Sequence, residues 1–257
     1  MKIYIINLKR CEDRRMAMQL EVQKLSANFK FHIFDAIDSR ADEHIFFMKK
    51  HFSKITRYLL GRDLTGGEFA CFASHYSMWN ECIKQNEPII ILEDDITIQP
   101  HFEEGIKSIT ENKYEFVKLT STNIDSANKQ KTNHLIDKHF ILSFNGLDGT
   151  QGYYITPNSA KKFIKHSNKW YKPVDNYMES FWIHNIPTIT YTPKLITDNL
   201  NCNDTTIENR KTKISFGYKL TREISKAFSD IRKFFYIKFY PRCSFCKKIN
   251  SKEILVR

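Results

Sequence analysis

The chain has 257 residues, 41% hydrophobic and 14% aromatic, enough apolar material for one sizeable α/β domain with an appendage, and this composition excludes global disorder. Its formal charge of +11 is unevenly placed: residues 210–257 hold 14 Lys or Arg against three acids, which leaves 26 of each sign in the first 209. A neutral body of residues 1–209 followed by a basic segment of residues 210–257 speaks against a uniformly basic nucleic-acid binder.

In chain order, KIYIINL reads as a buried strand, CEDRRMAMQLEVQKL as a helix with Met18, Val22 and Leu25 on one stripe, and FKFHIFDAI as a second strand. Strand, helix and strand in that order predict a parallel pair joined by a right-handed crossover. Residues 40–62 are mixed in charge and rich in aromatics without a clean period, which predicts an irregular or helical insertion. LTGGEFACFASHYSMWNECIK is the clearest helix. Thr65 and Glu68 have the spacing of a capping box, and Phe69, Phe72, Tyr76, Trp79 and Ile83 recur three and four apart.

The next strand, PIIILEDDITI, raises the functional question. Ile89 to Leu92 form a continuous apolar run suited to a strand covered on both faces, and Glu93, Asp94 and Asp95 end it. Ligands of open α/β sheets collect at the carboxyl ends of strands. Carboxylates bunched there suit a hard divalent cation, Mg²⁺ or Mn²⁺, and through it a phosphate-containing substrate. Capping of a following helix is the competing role, and alternation alone leaves open which acids face such a cation. Further strands are predicted at EFVKLT, HFILSF, GYYIT and TITYT, with short helices after Thr156–Pro157 and around Asp175.

Other candidates are ambiguous one by one. His75 at the edge of its helix stripe suits a satisfied buried histidine as well as a ligand contact. Gly149 and Gly152 around Thr150 and Gln151 suit a close backbone approach to a ligand or a plain turn. Asp175 suits a helix cap. The six cysteines lack framework spacing, and Cys243–Cys246 is a single CxxC without a second pair, so reduced thiols are expected. No stretch reaches the length of a membrane span, and the apolar part of MKIYIINLKR is too short for a signal peptide, so a cytoplasmic location is expected. From about Tyr218 to Tyr240 the tail predicts a basic amphipathic helix with Ile224, Phe228, Ile231, Phe235 and Phe239 near one face. Such a helix suits an anionic membrane surface, or packs its stripe on the body.

Together INLKRCEDRR, FDAID, LTGGEFACFASHYSMW, ILEDDITI, GTQGYYIT and PVDNYM resemble glycosyltransferase family 25 in order and spacing. This family includes bacterial enzymes that extend lipooligosaccharide or lipopolysaccharide cores, many of them β-1,4-galactosyltransferases. The resemblance implies a GT-A-like α/β sandwich with a mostly parallel central sheet. It implies inverting transfer of a hexose, galactose first, from a UDP-sugar to a core saccharide acceptor. It also implies a DxD-like role for the acidic triplet, with Mn²⁺ or Mg²⁺ at Asp94 and Asp95 assisted by Glu93. The sequence departs from the pattern in one respect: the further ligand, frequently a histidine, has no histidine counterpart in TDNLNCNDTTIEN, where Asp198 or Asp204 would substitute, or phosphate and water would complete the shell.

By the same resemblance Asp175 is the first candidate for the base and Asp148 the second. Asn7, Arg14, Asp35 and Ala36 would meet uridine and phosphates. Ser74, His75, Gly149, Thr150 and Gln151 would meet donor or acceptor sugar. An acceptor anchored in the inner leaflet would suit a basic tail that holds the enzyme at the cytoplasmic face of the membrane. A metal-dependent phosphodiesterase or nuclease and a non-catalytic glycolipid-binding module are the rival classes.

Overall fold

The computed structural model describes residues 1–121, 133–143, 149–199 and 216–239. Asp148, Asp204, Cys202, Cys243 and Cys246 lie outside the described residues.

The chain opens as β1 (Lys2–Asn7), α1 (Glu12–Val22) and β2 (Lys30–Asp35), with β1 and β2 parallel as the crossover predicts. Two 3-10 segments (Ser39–Ala41 and Glu43–Lys50) and α2 (Ser53–Leu60) occupy the irregular stretch. Then come α3 (Gly66–Gln85), β3 (Ile89–Glu93), β4 (Ile96–Ile98), α4 (Phe102–Glu111) and β5 (Phe116–Lys118). The hairpin β6 (Asn133–Asp137) and β7 (Phe140–Ser143) and the strand β8 (Gly152–Ile155) follow. Short helices at Pro157–His166, Val174–Met178 and Phe181–His184 lead into β9 (Thr188–Tyr191) and β10 (Ile196–Asp198), and the last element is the long helix Phe216–Phe239.

Eight strands form one sheet in the order β2-β1-β3-β8-β5-β9-β7-β6, and β10 pairs with β4 in a separate ribbon. All but β8 and β7 run in one direction. This is an α/β sandwich with a mostly co-directional sheet, the GT-A-like class that the motifs imply.

Both faces are covered, which explains the uninterrupted apolar runs. Alternation along β1 and β3 sends Ile3, Ile5, Ile90 and Leu92 to one core with Met18, Val22, Phe102 and Ile106. Tyr4, Ile6, Ile89 and Ile91 go to the other, with Phe69, Phe72, Trp79 and Phe163. α3 is started by its predicted capping box: Glu68 N–H donates to Thr65 Oγ1 at 3.2 Å, and Thr65 N–H donates to Glu68 Oε2 at 3.0 Å. Arg62 adds a two-pronged pair to Glu68, both bonds 2.7 Å, with the Glu68 side chain 1% exposed.

The C-terminal helix packs on the body through one side only. Tyr218 meets the Tyr58 ring at 5.9 Å, and Tyr236 meets the Phe181 ring at 5.2 Å. The predicted stripe is not the docking side: Ile224, Phe228, Ile231 and Phe235 are all exposed. No helix among the described residues is long and apolar enough to cross a membrane.

Replacing Glu68 with Ala strands the Arg62 guanidinium without its carboxylate, so Glu68→Ala is expected to lower the unfolding free energy by about 3 kcal/mol. Thr65→Ala, which removes only a cap, is expected to lose about 1 kcal/mol. Urea denaturation followed by circular dichroism separates the two, and equal small losses would contradict this account of how the helix starts.

Candidate active site

Register places the candidate residues side by side. Asn7 pairs with Asp35 at the carboxyl ends of β1 and β2, and Ile6 pairs with Glu93 at the end of β3. Because β8 runs the other way, its first residue Gly152 meets Leu92, so Thr150 and Gln151 enter the same sheet edge from outside. The Glu93 N–H donates to the Gln151 carbonyl at 2.8 Å and seals that junction. Gly149 sits at φ +94°, in the left-handed region that favours glycine.

Alternation along β3 assigns Glu93, while Asp94 and Asp95 lie in the turn that follows and are placed by their contacts. Glu93 shares the side of Ile89 and Ile91 and therefore faces α3. There its Oε1 lies 3.3 Å from His75 Nε2 and accepts a short hydrogen bond from Thr150 Oγ1. Burial pulls the Glu93 carboxyl upward, but the His75 and Thr150 bonds and the Arg14 charge outweigh it, and the net direction is down. His75 is 1% exposed and its Nδ1 lies 2.9 Å from the Tyr153 hydroxyl, which also accepts from Trp79 Nε1–H at 3.0 Å. The histidine is thus both a satisfied buried residue and a wall of the site.

Asp94 faces the other way, toward α1. Its Oδ2 accepts from Asn7 Nδ2 at 2.7 Å and its Oδ1 from Arg14 Nη1 at 3.2 Å, with Asn7 and Arg14 both buried. Arg15 Nε–H donates to Asn7 Oδ1 at 2.8 Å and its Nη2 to Asp35 Oδ1 at 2.6 Å. That bond to Arg15, with Lys9 nearby, holds the Asp35 carboxyl below the ordinary range.

Asp95 is in a different position. Arg14 Nη1 is 3.7 Å from its Oδ2, while its Oδ1 is buried and finds no donor among the described residues. Burial, then the neighbouring charges of Glu93 and Asp94, push its carboxyl up to about 6. The β10–β4 ribbon pairs Asp198 with Ile96, and Asn199 N–H donates to the Asp95 carbonyl at 2.8 Å. Asp198 Oδ1 in turn accepts from Gln151 Nε2 at 3.4 Å.

A hard divalent cation takes oxygen ligands, but among the described residues the one group of three or more potential ligand atoms within 4.8 Å of one another is Cys71, His75 and Glu93, a mixed set that includes neither Asp95 nor Asp198. Asp95 has an unpartnered buried oxygen, whereas both oxygens of Asp94 are engaged by Asn7 and Arg14.

Glu93, Asp94 and Asp95 border a cavity of about 110 Å³ that is also lined by Ala36, Ile37, Asp38, Ser39, Ser74 and His75. Ser74 Oγ accepts from the Ile37 N–H at 2.9 Å and so fixes the loop after β2. Arg10, Asp38 and Cys71 also line the cavity. The motifs contain all three, but the sequence reading assigns them no part in the site. Arg10 follows Asn7 in the β1–α1 turn, and Cys71 lies one helical turn before His75, so spacing was the available signal. Asp175, on the short helix Val174–Met178, is not among the cavity-lining residues; its Oδ1 accepts from Asn176 N–H at 2.7 Å. Its charge is nevertheless one of those that, after burial, raise the Cys71 thiol.

A model of glycosyltransferase family 25 (LPS biosynthesis protein) matches residues 1–178. Procollagen galactosyltransferase 2 of Homo sapiens is 31% identical over 115 residues, 43% of this chain and 18% of that protein. The lipooligosaccharide biosynthesis protein lic2B of Haemophilus influenzae is 28% identical over 163 residues, 63% of this chain and 53% of that protein. A glycosyltransferase 25 family member of Anopheles gambiae is 25% identical over 190 residues, 68% of this chain and 31% of that protein. The matches therefore span at most about half the length of these relatives. Among solved structures, an active-site mutant of LgtC aligns with a TM-score of 0.38 and 11% identity over 88% of this chain and 96% of that one. The family match runs from the first strand through the helix that carries Asp175, and the chain belongs to glycosyltransferase family 25.

Proposed function

We propose that this glycosyltransferase moves a hexose, galactose first among the candidates, from a UDP-sugar to a lipooligosaccharide or lipopolysaccharide core acceptor with inversion at the anomeric carbon. The observation that carries the reading is the acidic edge itself: three carboxylates at the end of a buried strand and in the turn after it, with Asp95 left holding an unpartnered oxygen beside an open cavity. Family membership supports the reaction class, and relatives named for lipooligosaccharide biosynthesis and for procollagen galactosyl transfer support the substrates.

In this reading Asp95, with Asp198 at hand, holds a Mn²⁺ or Mg²⁺ ion, which when bound neutralises charge on the nucleotide diphosphate. Asp94 keeps the buried Arg14 guanidinium at the same edge, where it adds a fixed positive charge that needs no reorganisation during reaction. Arg10, Ala36 and Asp38, which line the cavity, and Asn7 and Asp35 behind it, orient the nucleotide. His75, Ser74, Thr150 and Gln151 shape the wall that the sugar faces. Asp175 takes the proton of the acceptor hydroxyl as that oxygen attacks from the face opposite UDP, with Asp148 the second candidate. The C-terminal helix brings the enzyme to the anionic inner leaflet on the cytoplasmic side, where a lipid-anchored acceptor is presented.

The transferase reading is tested by incubating the protein with UDP- and GDP-sugars, with and without Mn²⁺, and with lactosyl, glucosyl and GlcNAc acceptors. Asp175→Asn is expected to keep UDP affinity and to lose transfer by about 10²- to 10⁴-fold. Turnover equal to wild type would remove Asp175 from the mechanism.

Asp95→Asn tests the cation reading on the protein alone. The folded-state value of Asp95, about 6, lies above its ordinary 3.8. Its penalty is therefore absent below the ordinary value and grows as pH rises through the folded one. Since the side chain is 38% exposed, solvent screens the effect. Asp95→Asn is expected to stabilise the cation-free protein at pH 8 by on the order of 1 kcal/mol, less at pH 5. The same change is expected to abolish stabilisation by added Mn²⁺. Thermal unfolding at both pH values reads out each effect, and an undiminished Mn²⁺ shift in the variant would contradict the assignment.

A further inference from the structure

Sixteen large hydrophobic side chains are exposed among the described residues, and they are not scattered. Six lie in residues 43–58, where Phe46 is 74% exposed and Ile55 and Tyr58 also face outward. Another six lie on the C-terminal helix, among them Ile224, Phe228 and Phe235. Single exposed apolar residues are ordinary, but twelve of sixteen on two short segments form a patch that needs a partner.

The two segments adjoin. α2 packs along the C-terminal helix, and Tyr58 meets Tyr218 ring to ring at 5.9 Å. Both are also basic: residues 43–58 carry four Lys or Arg against one acid, and the described tail helix carries six against two. Lys49 Nζ lies 5.6 Å from the centre of the Phe46 ring, so a cation sits directly beside the most exposed aromatic. Aromatic and aliphatic side chains flanked by basic ones suit the boundary between acyl chains and anionic headgroups. A protein partner would be expected to place fewer lysines around its apolar contact.

We propose that residues 43–58 and the outward stripe of the C-terminal helix form one docking face for an anionic lipid bilayer, so that membrane attachment belongs to the body of the protein as well as to its tail. The insertion has a second connection. It follows directly on Asp38 and Ser39, which line the cavity, and Asp38 N–H donates to Glu43 Oε2 at 2.9 Å. The face therefore begins at the cavity rim. It can hand the site an acceptor that stays embedded in the bilayer, a consequence that rests on the glycosyltransfer reading, whereas the docking itself does not.

The experiment is co-sedimentation of the full chain with vesicles of phosphatidylethanolamine and phosphatidylglycerol at 3:1, against vesicles of pure phosphatidylcholine. Two double variants are compared with wild type, Phe46→Ser with Ile55→Ser and Ile224→Ser with Phe228→Ser. All four positions are exposed, so folding is expected to survive, as circular dichroism checks. Wild type is expected to bind only the anionic vesicles, less at high salt, and each double variant is expected to bind at least about tenfold more weakly. Transfer to a soluble acceptor is expected to be unchanged in both variants. Wild-type binding by the Phe46/Ile55 variant would overturn the proposal and leave the tail as sole anchor. Absence of wild-type binding to anionic vesicles would overturn it as well, as would a dimer in solution that both variants dissolve, which would make the face an interface between copies. Vesicle binding without any sugar transfer would defeat the glycosyltransfer reading and leave the docking face standing.

Discussion

The site depends on one buried cluster, Asp94 held between Asn7 and Arg14. It joins the end of β1, the first turn of α1 and the turn after β3. Without the guanidinium and the amide, a carboxylate at that depth would be heavily penalised, and removal of one partner would leave the other charge stranded. The cluster therefore fixes the direction in which the rest of the acidic triplet points. Arg15 extends it sideways to Asn7 and Asp35, so that the ends of three neighbouring strands are tied by charge-assisted bonds.

From that anchor the three acids separate in role. Glu93 is turned to α3 and occupied by His75 and Thr150. Asp94 is turned to α1 and occupied by Arg14. Asp95 retains an unpartnered oxygen, and burial, then the repulsion of its two neighbours, raises its proton affinity. The cavity that these acids border is walled by backbone of the loop after β2 and by α3, both immobilised through Ser74.

Much of this was legible in the residues. The continuous run Ile89 to Leu92 read as a doubly covered strand because both faces are buried, and the Thr65–Glu68 spacing marked the start of α3 because that box forms as drawn. The direction of each acid was not legible until β3 was known to stay straight through Glu93 and turn at Asp94. Arg10 and Cys71 could have been found from their spacing to Asn7 and His75, whereas nothing local marks Asp38 as reaching the same cavity through the loop after β2. Residues 40–62 read as irregular for a physical reason: most of their large apolar side chains face outward in 3-10 and helical turns, with Phe47 turned inward onto Trp170, so no continuous inward-facing stripe appears. The tail helix was legible as a helix, but the side on which it docks was not, because its contacts with Tyr58 and Phe181 involve flanking aromatics rather than the stripe.

An acidic edge and an apolar, basic face thus lie on adjoining parts of one α/β body. A crystal structure with UDP and Mn²⁺ tests the centre of the account most directly, since the anomalous signal locates the ion without ambiguity. The account predicts the ion on Asp95, the diphosphate between it and Arg14, and Asp94 still bonded to Asn7. An ion and diphosphate bound away from the end of β3 would contradict it.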